Sequence, residues 1–358
     1  MNKTLSGRAT ARPIKYRFAS AKHPYLQEIA HAMVAGGKGI LAIDESHSTC
    51  KKRFDAYKIE CSEENRRAYR EMLITAPGVE EYISGMILFD ETLRQKTTTG
   101  AAFSKVLIDK GIMPGIKVDG GTKDLALHPG EKITEGLDGL RERLAEYKTL
   151  GAQFAKWRAV VTIGKDMPSM ACIKANTHAL ARYSALCQEN DIVPMVEPEI
   201  LMDGDHTIEQ CYDATDLTLR TLFEELEEQG VALEGTILKV SMVLAGRDAQ
   251  KQSGVEEVAR ETLRCLKGNV PTGLAGIVFL SGGQTDEKAT AHLDAMNKMD
   301  RKLPWPLSFS YGRALQAQAL KLWATNKNNT ALAARALVTR SKLNSLAAQG
   351  KYDAKLEK

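Results

Sequence analysis

A single (β/α)8 barrel is the fold class that this 358-residue sequence predicts, and two observations carry it. Eight apolar runs of strand length recur along the chain, and amphipathic helical patterns stand between them. That alternation signifies an α/β protein with a parallel sheet, and eight is the number of strands that closes a barrel. An open doubly wound sheet is the competitor, but it normally brings a glycine-rich phosphate turn after its first strand. The corresponding stretch here, "AIDESHS", holds no glycine. No segment has the composition of a linker. Residues 22–345 are therefore read as one barrel domain between a basic N-terminal tail (1–21) and a short C-terminal tail (346–358).

The expected strands are "KGILAID" (38–44), "GMILFD" (85–90), "MPGIKV" (113–118), "FAKWRAVV" (154–161), "IVPMVEPEI" (192–200), "GTILKVSM" (235–242), "GIVFLSGG" (276–283) and "PLSFSYGR" (306–313). Among the helices, "SEENRRAYREML" (62–73) carries Ser62 as its N-cap and Asn65 at the third helical position. The patterns "LDGLRERLAEYKTL" (137–150), "TDLTLRTLFEELEEQG" (215–230) and "VEEVARETLRCLKG" (255–268) follow, the last two closing on glycine.

Composition excludes several functions. The net charge is +4, but residues 1–20 hold five basic and no acidic side chains, and residues 321–358 hold eight basic and two acidic, leaving −7 for the 300 residues between. A nucleic-acid groove needs its positive excess in the body of the fold, so none is expected. No apolar run approaches the roughly 18 residues of a membrane span. Six cysteines without a CxxC pair read as reduced thiols of a cytoplasmic protein, and the basic tail reads as an ordinary tail rather than an organellar transit peptide. Seven histidines show no HxxxH or HExxH spacing and no Cys/His cluster forms a zinc pattern, so neither metal nor cofactor is expected, although a mononuclear site built from distant residues stays open.

The polar residues gather at one end of the expected strands, where barrels keep their chemistry. Asp44 and Glu45 close the first strand, and Lys117 stands near the end of the third. Lys156 and Arg158, two apart on the fourth, share a face, as do Glu197 and Glu199 on the fifth. Lys239 sits inside the apolar sixth strand, "SGG" ends the seventh, and "SYGR", with Arg313, ends the eighth. A lone strand lysine more often snorkels to solvent, and paired glutamates more often mark a solvated face. In a barrel neither the lumen nor the helix layer tolerates scattered charge, so a shared site is the better reading.

Eight stretches, "GKGILAIDES", "ILFDETL", "PGIKVDGG", "FAKWRAV", "VPMVEPEIL", "LEGTILK", "FLSGGQ" and "LSFSYGRALQ", resemble the class I fructose-1,6-bisphosphate aldolases and occur in that family's order over residues 22–352. The resemblance implies a TIM barrel, a homo-oligomer (commonly a tetramer), and reversible, metal-free cleavage of fructose 1,6-bisphosphate to dihydroxyacetone phosphate and glyceraldehyde 3-phosphate. By the same resemblance Lys239 is the Schiff-base lysine. Apolar walls and a neighbouring cation, Lys156 being the candidate, would favour its free amine. Asp44 is implied as the base for the C4 hydroxyl, Glu197 as the acid/base of carbinolamine dehydration with Glu199 setting its protonation, and Lys156 as the stabiliser of developing negative charge. Ser281, Gly282, Ser310, Gly312 and Arg313 match positions on the substrate, the C1 phosphate falling to Ser281, Gly282 and Arg313. Ser46, Thr49, Lys117 and Arg158 fall at the other phosphate, with Lys52 and Arg53 nearby.

The sequence also departs from the family. "DESHSTCKKR" replaces a Thr-Gly-Ser run with His47, Ser48 and Thr49; Val240 stands where proline is usual; and Gly120 replaces a lysine. Many members continue into a mobile tail ending in a catalytic tyrosine, whereas this chain stops at Lys358. Tyr352 matches an earlier tyrosine, which leaves Tyr311 as the internal proton donor to examine. Two other readings compete. A transaldolase-like or keto-acid Schiff-base lyase needs at most one phosphate site, whereas two are readable here. A non-catalytic scaffold would not need every charged catalytic position retained.

Overall fold

The computed structural model describes residues 24–325 and 330–357; the expected N-terminal tail, residues 1–21, lies outside them. Eight strands form the closed barrel: Gly39–Ile43, Ile83–Leu88, Met113–Lys117, Phe154–Val161, Val193–Ile200, Ile237–Val240, Gly276–Phe279 and Leu307–Tyr311. Each runs parallel to the next, and the eighth returns to the first, with Ser310 beside Ile40 and Tyr311 beside Leu41. All eight expected strands are present: the fourth keeps its expected bounds, the second begins two residues early at Ile83, and the others are trimmed by one to four residues. A hairpin of two short strands, Thr122–Asp124 and Lys132–Thr134, adds to the loop after the third strand. It escapes a sequence reading because its first strand is wholly exposed and each strand is only three residues long.

Period-2 alternation sorts each strand into two faces. Leu41 and Ile43 pack into the main apolar layer between barrel and helices, whereas Ile40 and Ala42 belong to a smaller cluster with Ile87, Phe154, Val193, Met195, Ile237 and Val278. That second cluster fills the lower lumen. The same parity, carried up each strand, reaches Asp44 after Ala42, Lys156 and Arg158 after Phe154, Glu197 and Glu199 after Met195, and Lys239 after Ile237. The lumen is therefore stratified, apolar below and charged above. Lys239 is no anomaly in its apolar run, because Leu238 and Val240 face the helix layer while it faces inward, one inward position above Ile237.

The floor is sealed by the helix Pro24–Val34, whose Leu26, Ala30, Met33 and Val34 join the lower-lumen cluster. Around the outside, Glu63–Thr75 begins where expected, the Asn65 N–H donating to Ser62 Oγ at 3.3 Å. Ile208–Glu228 begins before the expected Thr215, because Thr207 and Gln210 form a reciprocal capping box. The expected domain end at residue 345 falls inside the helix Thr330–Ala348, and the segment beyond it packs on the body. Tyr352 is buried, its N–H donating to Asp294 Oδ1 at 2.9 Å, and Glu357 accepts two hydrogen bonds from Arg340, each 2.7 Å. All six cysteines are free thiols.

If the first helix closes the barrel floor, truncating its fully buried Leu26 leaves a cavity that the surrounding strands cannot fill. Leu26→Ala should lower unfolding free energy by about 2–5 kcal/mol, measured by urea denaturation. A loss below about 1 kcal/mol would show that the helix does not seal the lumen.

Candidate active site

Four charged side chains meet at the level where the lumen turns polar. Lys156 Nζ lies 2.8 Å from Asp44 Oδ2 and 3.2 Å from Glu197 Oε2, and Lys239 Nζ lies 3.1 Å from Glu197 Oε1. Lys156, Glu197 and Lys239 are each at most 4 % exposed. Glu197 Oε2 accepts no aligned hydrogen bond among the described residues, so its contact with Lys156 is one of charge. Two cations and two anions in one buried space compensate one another, which unpaired burial could not.

This arrangement corrects one sequence expectation. Lys156 is not a bare cation beside Lys239, because Asp44 and Glu197 flank it and Glu197 bridges the two ammonium groups. Burial alone would raise the Asp44 carboxyl, but Lys156 and Lys239 outweigh it and bring the pKa from 3.8 to about 2. Glu197 follows the same logic: burial pushes it up, and Lys156, Lys239 and Arg158 hold it below the usual carboxylate range. Lys156 responds in the opposite sense. Burial disfavours its charge, yet Asp44 and Glu197 raise it well above an ordinary lysine. Glu197 is thus held as an ionised carboxylate.

Above this cluster opens a cavity of about 1060 Å³, and every expected site residue lines it: Asp44, Ser46, Thr49, Lys52, Arg53, Lys117, Lys156, Arg158, Glu197, Glu199, Lys239, Ser281, Gly282, Ser310, Gly312 and Arg313. Glu199 accepts Arg158 Nε at 2.5 Å, so it is tied to that guanidinium. Ser310 Oγ is buried without a partner among the described residues, aimed by strand parity into the lumen. On the Ser281 side, the N–H groups of Ser281, Gly282 and Gly283 donate to no described protein atom, and both glycines have positive φ, 51° and 92°. A run of free N–H groups at such a turn is an anion-binding concavity. At the other rim, Ser46 caps the helix His47–Asp55, and its hydroxyl lies 3.1 Å from that of Ser48 and 3.2 Å from that of Thr49. His47 turns away to Glu91, 3.1 Å from its Nε2.

Several residues escaped the sequence reading. Asp119 holds Lys117 Nζ at 2.6 Å and accepts the Arg158 N–H at 3.2 Å; its period-2 spacing from Lys117 was the available signal. Glu45 holds Arg53 Nη1 at 2.5 Å and accepts Gln316 Nε2 at 2.9 Å, which commits Arg53 to a carboxylate. Arg247 and Gly283 also line the cavity. Tyr311 is corrected outright: it faces the helix layer, fully buried, with its hydroxyl donating to the Ala289 carbonyl at 3.0 Å. Among the described residues, no group of three or more His, Cys, Asp or Glu side chains could hold a metal ion.

A (β/α)8 barrel with a buried lysine under a cavity whose two ends are built for anions is the layout of a lysine-dependent lyase for phosphorylated ketoses. The comparisons agree with that class. The family profile described as "Fructose-bisphosphate aldolase class-I" matches residues 25–358. A "Probable fructose-bisphosphate aldolase class 1" from Xanthomonas campestris pv. campestris is 63% identical over 328 residues, covering 91% of this chain and 98% of that protein. "Fructose-bisphosphate aldolase 4, cytosolic" of Arabidopsis thaliana is 50% identical over 90% of this chain and 83% of its own. A solved Plasmodium falciparum fructose-bisphosphate aldolase, in complex with TRAP and a small-molecule inhibitor, superposes with a TM-score of 0.91 at 46% identity over 92% of this chain and 96% of that one. This chain belongs to the class I fructose-bisphosphate aldolase family, lyases that work through a Schiff base in glycolysis.

The depressed Asp44 carboxyl makes a signed prediction. Its folded pKa, about 2, lies below the ordinary 3.8, so its stabilisation is complete above about pH 4 and is lost as pH falls towards 2. Asp44→Asn should therefore be less stable than the parent by about 2 kcal/mol at pH 7, with the gap narrowing below pH 4, roughly halved near pH 3 and closing towards pH 2 in urea titrations. A gap that stays constant down to pH 3 would contradict the assigned ion pair.

Proposed function

We propose that this chain cleaves fructose 1,6-bisphosphate reversibly to dihydroxyacetone phosphate and glyceraldehyde 3-phosphate, with Lys239 as the covalent nucleophile. The observation that carries the assignment is the 3.1 Å contact between Lys239 Nζ and Glu197 Oε1. An ammonium is no nucleophile, and Glu197, held ionised, is positioned to take its proton. The amine then adds to the C2 carbonyl, a proton passes from the added nitrogen to the new alkoxide to give the carbinolamine, and the protonated Glu197 returns its proton to that hydroxyl, which leaves as water. The resulting iminium accepts the electron pair of the C3–C4 bond and becomes an enamine. Asp44 takes the C4 hydroxyl proton. As a weak base it does so while the C3–C4 bond breaks, when that oxygen is becoming a carbonyl. Lys156, 2.8 Å from Asp44, sits where negative charge on the reacting oxygens develops.

The two ends of the cavity hold the two phosphates. Ser281, Gly282 and Arg313 take the C1 phosphate through free N–H groups and a guanidinium, with Ser310 and Gly312 on the same wall. Ser46, Thr49, Lys52, Lys117 and Arg158 serve the other phosphate at the start of a helix, where backbone donors and dipole favour an anion. Arg53, paired with Glu45, shapes that rim. Glu199 acts through Arg158 as a positioning residue. The cytosolic designation of the Arabidopsis relative supports a cytoplasmic location, and no described helix is long and apolar enough to cross a membrane. The family resemblance supports assembly into a homo-oligomer, a tetramer in this reading.

Borohydride added with dihydroxyacetone phosphate should reduce the imine and inactivate the enzyme irreversibly, with the adduct mapping to Lys239 and EDTA leaving turnover intact. An adduct on Lys156 or Lys117, or inactivation by chelator, would overturn the mechanism.

The phosphate ends should separate under mutation. Arg313→Ala should impair cleavage of both fructose 1,6-bisphosphate and fructose 1-phosphate. Lys117→Ala should mainly weaken the bisphosphate, by roughly one to two decades in kcat/KM. Equal losses on both substrates for Lys117→Ala would place Lys117 elsewhere.

A further inference from the structure

We propose that Arg247 is a second guanidinium for the C1 phosphate, acting beside Arg313; this rests on the assignment of the Ser281–Gly283 turn to that phosphate. Arg247 lies in the loop after the sixth strand, and its side chain lines the cavity. A Cβ built on Gly283 would stand 2.8 Å from Arg247 Nη2 and 3.7 Å from Arg313 Nη2. Both guanidinium groups therefore reach one spot, over a turn whose N–H groups are free. Glycine is favoured there by its φ of 92°, while the flexible end of Arg247 could move aside for a Cβ.

Charge balance points the same way. No described residue gives Arg313 an ion pair or a side-chain hydrogen bond, and Arg247 has only Asp203, at 3.4 Å, with both side chains more than half exposed. An exposed pair of that length holds weakly. Two guanidinium groups with one loose carboxylate leave uncompensated positive charge beside free N–H donors, which is the signature of an anion site. Arg247 is also anchored for the task. Its N–H donates to the Met202 carbonyl at 2.7 Å, Gly246 to His206 at 2.8 Å and Asp248 to Gly204 at 2.9 Å. These three bonds pin its backbone to the loop after the fifth strand and leave the side chain to exchange Asp203 for phosphate. Asp203 is thus the carboxylate that would compete with phosphate for Arg247.

The test compares Arg247→Ala, Arg247→Lys, Asp203→Asn and Arg313→Ala. Two constants are measured on each: half-saturation for dihydroxyacetone phosphate in borohydride trapping, and inhibition by inorganic phosphate. Arg247→Ala should weaken both by about tenfold or more, with KM for glyceraldehyde 3-phosphate in the synthetic direction unchanged. Arg247→Lys should recover part of the loss, since it keeps charge but not the fork of donors. Asp203→Asn should tighten both constants. If Arg247→Ala stays within twofold of the parent while Arg313→Ala does not, the role of Arg247 is refuted and the proposed function stands. If neither variant moves the constants, the C1-phosphate end itself is misplaced. A rise confined to the KM of glyceraldehyde 3-phosphate would assign Arg247 to the other phosphate and equally refute the proposal.

Discussion

Everything in this barrel is arranged around one electrostatic requirement: two ammonium groups and two carboxylates must be buried together or not at all. Removing any one of Asp44, Lys156, Glu197 or Lys239 leaves a charge uncompensated in a buried space, a penalty of about 2–5 kcal/mol. The strand register meets the requirement. Lys156 stands beside Lys117 on the third strand and Met195 on the fifth, which puts Glu197 one inward position above. Lys239, opposite Val278, comes to the same height from the sixth strand. A slip of one residue in any of these pairings would turn a charged side chain into the helix layer. Tight closure of the barrel and ionisation of the site are therefore one constraint.

That constraint also explains what could be read from sequence. The strands were legible because buried parallel strands are short apolar runs, and the paired spacings Lys156/Arg158 and Glu197/Glu199 exposed their common face. The inward direction of Lys239 followed once a barrel was assumed. What the spacing could not supply was the partner of each charge. That Glu197 bridges the two lysines depends on the register of three neighbouring strands, and no local pattern encodes it. Residues on loops were harder still. Arg247 follows Lys239 through an irregular segment, so neither period nor motif marks it. The sealing helix Pro24–Val34 was missed because it adjoins the basic tail and its apolar face packs across the strands. Tyr311 was misread because the resemblance suggested chemistry, whereas parity gives the lumen to Ser310 and Gly312 and sends Tyr311 outward.

The departures in the first loop have a physical outcome. With His47 turned to Glu91, the hydroxyls of Ser46, Ser48 and Thr49 stand within hydrogen-bond reach of one another at the helix start. Glu91 is itself held by Arg66, at 2.9 and 2.5 Å, and by Arg70 at 3.2 Å. The loop that lost a Thr-Gly pair thus stays braced through a network of arginines behind it, with its hydroxyls left to face the cavity.

The apolar floor laid by the first helix makes the barrel a blind tube with a single mouth. Traffic through such a tube is last in, first out. In the proposed mechanism, with a ketose joined to Lys239, the fragment above the broken bond departs while the fragment on the lysine still occupies the bottom. The aldehyde must leave before the ketone, and in synthesis the ketone must be seated before the aldehyde arrives. A helix that ends ten residues before Asp44, through nothing more than greasy side chains, thereby dictates the order in which molecules queue.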